Sequence, residues 1–78
     1  MTTNFFTVRY TILTNASSVR AVGTAMSRSL SKAMARASSH AWDIYESSVA
    51  TNWVDCWVRV YKGGKLIAQG FEGSLETV

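Results

Sequence analysis

The sequence predicts an α+β domain, one helix packed on a mostly antiparallel sheet in the order β-α-β-β-β. Three observations predict it. Residues near both ends alternate apolar and polar with a period of two, the strand signature. A middle stretch repeats apolar residues every three or four positions, the helix signature. Gly63-Gly64 then separates the last two alternating runs as a two-residue hairpin turn should.

Asn4 to Leu13 reads as the first strand, with Phe6, Val8, Tyr10 and Ile12 alternating with Phe5, Thr7, Arg9 and Thr11. Thr14-Asn15-Ala16 reads as a loop. Ser17 or Ser18 is a suitable N-cap, because its hydroxyl can accept from a first-turn N–H. Val19, Val22, Met26, Leu30, Ala33, Met34 and Ala37 follow at helical spacing, which places the helix over 17–38. Gly23 shares that stripe, where it would let the helix approach the sheet closely. His40 to Ser47 fits either a strand or an extension of the helix. Ile44 and the aromatics Trp42 and Tyr45 favour strand.

Asn52 to Lys62 alternates most clearly, Val54, Cys56, Val58 and Val60 against Trp53, Asp55, Trp57, Arg59 and Tyr61. Lys65 to Glu72 returns, and Gly73 to Val78 reads as a frayed tail. A two-residue turn pairs Lys62 with Lys65, Val60 with Ile67 and Cys56 with Phe71, and sets Trp57 across from Gly70. One face then carries the valines, Cys56, Ile67 and Phe71 as a bed for the helix. The other carries Trp53, Trp57, Tyr61 and Leu66 with Arg59.

At 78 residues the chain holds one domain, 1–78, with one core. A 47% hydrophobic content, 12% of the chain being aromatic, is enough to fold it. A single Cys56 and a single His40 exclude a disulfide within the chain and argue against a metal site. No cofactor is expected. No stretch approaches the roughly 18 apolar residues of a membrane span, and the first residues lack the basic and apolar runs of a leader. The expected compartment is the cytoplasm, the host cytoplasm for a phage protein, which a lone cysteine suits.

The net charge is +3, unevenly placed. Arg9, Arg20, Arg28, Lys32 and Arg36 stand in residues 1–42 without any acid, whereas every acid lies in residues 43–78. Such asymmetry points to an anionic partner, nucleic acid or an acidic protein surface. On the expected helix Arg28, Lys32 and Arg36 follow at intervals of four with Arg20 further round. They form a docking stripe, or else a solvated face favoured by the helix dipole. The second candidate surface is the aromatic face. Trp53, Trp57, Arg59 and Tyr61 are of the types that dominate interface hot spots and stack on bases. Three coverings are open for it: a terminal segment of the chain, a second copy in a homodimer, or a foreign partner.

Catalysis is not expected. His40 has only Ser38 and Ser39 beside it, and Asp55 with Glu72 would lie on a sheet face without a cleft. Gly63-Gly64 is a hairpin turn and not a phosphate loop.

A helix followed by a three-stranded meander resembles the first part of a double-stranded-RNA-binding domain, whose lysine-rich final helix has no counterpart before Val78. In size and architecture the chain is similar to small phage-encoded anti-CRISPR inhibitors. That likeness implies a non-catalytic protein that blocks a CRISPR effector complex by occupying a surface, and it transfers no residue roles. The expected function is therefore a protein-binding inhibitor or adaptor, with a small nucleic-acid-binding module as the alternative.

Overall fold

The computed structural model describes residues 5–14, 20–47 and 53–78, with the side chains of Arg20, Trp53 and Val54 outside that description. The elements are β1 (Phe6–Thr14), β2 (Arg20–Ser27), α1 (Leu30–Glu46), β3 (Trp53–Lys62), β4 (Lys65–Phe71) and β5 (Glu76–Thr77). One helix packs on one antiparallel sheet of five strands, in the order β2-β1-β3-β4-β5.

The class is as the sequence predicts, but the element order is β-β-α-β-β-β. The helix expected over 17–38 is corrected: residues 20–27 are a strand, and the helix runs from Leu30 to Glu46. Residues 40–47, read towards strand, are helix up to Glu46. The proposed caps Ser17 and Ser18 lie outside the described residues, and the observed cap is Ser29. Its hydroxyl accepts from Lys32 N–H at 3.4 Å, while its own N–H donates to Ser27 Oγ at 3.1 Å. At the other end Ser47 N–H donates to the Asp43 carbonyl and Ser47 Oγ to that of Ile44.

The reason for the misreading lies in β2. Its inward residues are Ala21, Gly23 and Ala25, opposite Ile12, Tyr10 and Val8 of β1. Small residues every second position imitate a polar or helical pattern, because they lack the β-branched or aromatic bulk that marks a strand. The helix answers with Ala33, Ala37 and Ala41, all fully buried. Small meets small, and the two backbones come into contact. A Cβ added to Gly23 would fall on the Ala37 carbonyl oxygen and 2.5 Å from Ala41 N. The close approach expected of Gly23 is real, but the glycine belongs to the strand beneath the helix.

The core lies on the helix side, formed by Val8, Tyr10, Ile12, Cys56, Val58 and Val60 under the three alanines. The helix covers β1 and β2. Met34, Trp42 and Tyr45 of the helix pack against this core, Trp42 and Tyr45 in edge-to-face contact at 5.3 Å. Beyond them the tail completes the cover. Gly70 is buried at φ 152°, and a Cβ there would lie 2.7 Å from the Ser74 carbonyl oxygen. Leu75 packs on the core, and Val78 N–H donates to the Ile67 carbonyl. The segment expected as a frayed tail is thus a strap ending in β5.

The hairpin register is also corrected. Lys62 pairs with Lys65 and Tyr61 with Leu66 as expected, but an irregularity next to Val60 leaves Ile67 unopposed. Val60 then faces Ala68, Val58 faces Gly70, and Trp57 faces Phe71. One inserted residue turns every later side chain to the other face. Phe71 therefore joins Trp57, and Gly70 joins the core.

Candidate partner-binding face

Because Val8, Tyr10 and Ile12 point inward, Thr7, Arg9, Thr11 and Leu13 of β1 point to the side without the helix. The register sets Thr7 beside Tyr61, Arg9 beside Arg59 and Thr11 beside Trp57. β2 adds Val22, Thr24 and Met26, and β4 adds Leu66, Gln69 and Phe71. No element of the described chain lies over this face. The tail, one of the expected coverings, folds onto the helix side, and the first strand lies within the sheet.

At its centre Arg9 and Arg59 are directly opposite each other and both are exposed. Among the described residues no ion pair ties either guanidinium to a carboxylate. They line a shallow depression of about 180 Å³ with Thr11, Leu13 and Trp57. Trp57 is half-buried and is held edge-on to the Phe71 ring at 4.9 Å, with Phe71 itself 43% exposed. Tyr61 is half-buried on the same face, and Met26 on β2 is 59% exposed. The face thus combines a paired positive centre with an aromatic and aliphatic surround.

The predicted residues do not form one site. Trp57, Arg59 and Tyr61 share the uncovered face. Trp53 begins β3, but its side chain lies outside the described residues, as does that of Arg20, which is on β2 and not on a helix. Arg28 precedes the helix, and its guanidinium sits over the Phe5 ring at 5.3 Å. Only Lys32 and Arg36 stand exposed on the helix, on the opposite side of the sheet. The dipole argument reverses for Lys32 and lapses for Arg36, which stands in the second turn. Lys32 is in the first turn, where the N-terminus disfavours a cation, and Asp43 and Glu46 are in the last. Arg9 and Phe71 escaped the sequence reading. Alternation alone sends Arg9 outward, but its neighbour Arg59 follows only from the β1–β3 pairing.

The helix side holds the other polar group of note. Tyr10 is 1% exposed, and its hydroxyl donates to Glu72 Oε1 at 2.8 Å. Glu72 N–H donates to the Cys56 carbonyl at 2.9 Å. Burial, followed by hydrogen bonding to Cys56 and Glu72, holds the Tyr10 hydroxyl well above its usual range. Burial likewise pushes the Cys56 thiol up, which keeps it protonated and poorly nucleophilic. Among the described residues no group of His, Cys, Asp and Glu is placed to hold a metal, and no helix is long and apolar enough to cross a membrane. No family model, curated protein or solved structure matches the chain.

Proposed function

We propose that this chain is a non-catalytic binding protein, an inhibitor or adaptor that seats its uncovered sheet face on an acidic surface of a protein partner. The carrying observation is Arg9 opposite Arg59. Like charges at directly opposed positions destabilise a sheet, so the pair costs the free protein stability that a partner's carboxylates would restore. The arrangement also weighs against a second copy on this face, since four guanidinia would meet at its centre. Leu13, Leu66, Met26, Trp57, Tyr61 and Phe71 give the apolar surround and aromatic anchors of a protein interface.

Likeness in size and architecture to anti-CRISPR inhibitors makes a subunit of a bacterial CRISPR effector complex the first partner to try, and the host cytoplasm the place of action. A second reading has its own support: Trp57, Arg59 and Tyr61 interleave rings with a cation, as single-stranded nucleic-acid binders do.

The test pairs two measurements. Labelled single-stranded DNA and RNA are titrated into the chain at low salt. Purified effector subunits are then assayed for capture by the chain and by an Arg9→Glu/Arg59→Glu form. Capture by the parent alone, with no nucleic-acid binding, supports the inhibitor. Binding of an oligonucleotide that weakens steeply between about 50 and 200 mM salt selects the second reading. Undiminished capture by the charge-reversed form removes this face from both.

A further inference from the structure

The outer edge of β2 is a second place where a partner can add. Across β3 and β4, Glu72 N–H donates to the Cys56 carbonyl, and across β1 and β3, Gly63 N–H donates to the Phe5 carbonyl. Successive residues of a strand bond to opposite neighbours. Even-numbered residues of β3 therefore bond towards β4 and odd-numbered ones towards β1, so Thr7, Arg9 and Thr11 bond to β3. Val8, Tyr10 and Ile12 then bond to β2, at Ala25, Gly23 and Ala21. By the same alternation Val22, Thr24 and Met26 turn their N–H and C=O groups to the open edge.

Among the described residues that edge is protected only by the overhanging flank of α1: β2 contains no proline, its register with β1 is unbroken, and its inward residues are uncharged. Only the Thr24 carbonyl meets a donor among the described residues, His40 Nδ1 at 3.4 Å. The contact shows which flank of the helix overhangs the edge. At about 100° per residue Lys32, Arg36, His40 and Asp43 lie on this flank, opposite Met34 and Tyr45, which face the core. Because α1 returns along β2 after a two-residue link, Lys32 and Arg36 overhang the half that contains Thr24 and Met26, and Asp43 the other half.

We propose that the β2 edge accepts an extended peptide strand, with acidic side chains turned to Lys32 and Arg36 and apolar ones turned to Val22 and Met26. Backbone bonds to Val22, Met26 and the Thr24 N–H supply the affinity, and the alternating side chains supply the selectivity. Charge complementarity chooses this occupant. It also gives Lys32 a purpose, since the dipole opposes a cation in the first turn. A second copy paired through β2 is the competing occupant, and protection of the edge amides without peptide would reveal it.

The test uses the full chain labelled with nitrogen-15 and two end-capped peptides, one alternating Glu and Val, the other Lys and Val. The Glu peptide should slow hydrogen exchange at the Val22, Thr24 and Met26 amides. Lys32→Glu with Arg36→Glu should weaken it about tenfold. Val22→Pro, which removes an outward N–H and leaves the N–H groups that bond to β1 in place, should weaken it too. An Arg9→Glu/Arg59→Glu form should bind it fully, which separates this edge from the uncovered face. Equal protection by the Lys peptide, or no protection by either, overturns the proposal. So does a dimer in which those amides are protected without peptide.

Discussion

The Ala37 carbonyl rests on the Cα of Gly23, so helix and strand meet backbone to backbone at this point. Neither atom belongs to a flexible side chain, and the helix has to move to admit a methyl group. Gly23→Ala should therefore destabilise the fold by about 2–3 kcal/mol, the upper part of the range for overpacked cores. Urea unfolding followed by circular dichroism measures it. A midpoint close to that of the parent would mean the helix shifts freely.

The charges of α1 run against its dipole, which makes a stabilising substitution easy to name. Lys32→Glu puts an acid in the first turn and should raise stability by about 0.3–1 kcal/mol at low salt. The gain should shrink as salt is added. Thermal melts at two ionic strengths would show it, and a loss of stability would mean that Lys32 has an unrecognised structural contact.

Arg9 and Arg59 set up the opposite effects of stability and binding. Replacing either by Ala should leave the free chain as stable or more stable, by about 0.2–1 kcal/mol, because the cross-strand repulsion is relieved once. Replacing both should add little further gain. Partner capture should fall with each. If a single replacement cost more than about 1 kcal/mol, the arginines would be holding the sheet together, and the docking role would lose its support.

Tyr10 gives the pH dependence. Its folded hydroxyl titrates above the unfolded value of 10.0, and the Cys56 thiol above 9.0. Each group therefore binds its proton more tightly when folded. Stability from both is present below the unfolded values and declines as pH rises above about 9. Tyr10→Phe should cost about 1 kcal/mol at neutral pH through the lost bond to Glu72. It should also flatten the decline above about pH 10. Chemical unfolding at pH 7 and pH 10.5 compares the two proteins.

Where bulky residues alternate, the sequence disclosed the structure. Val58 and Val60 against Trp57, Arg59 and Tyr61 placed β3 and its faces correctly, and Gly63-Gly64 placed the turn. Ala21, Gly23 and Ala25 concealed β2, because residues chosen for close helix contact carry no period of their own. Ile67 concealed the bulge, since an unopposed residue looks like any other apolar position in a strand. The candidate site was legible in part for the same reasons. Trp57, Arg59 and Tyr61 follow from alternation within one strand. The partner of Arg59 depends on which strand lies alongside, and that is decided by pairing between distant segments.

That pairing has a consequence for how the molecule is made. β1 and β3 join the two halves of the sheet, bringing Phe6 to Lys62 and Leu13 to Asp55. The β1–β2 ribbon and its helix close over short distances, whereas this seam waits on a long loop closure, the slow kind of step. During synthesis β1 emerges early with one side unsatisfied until the ribosome has delivered residue 62. The nascent chain is most vulnerable to wrong strand partners in that interval.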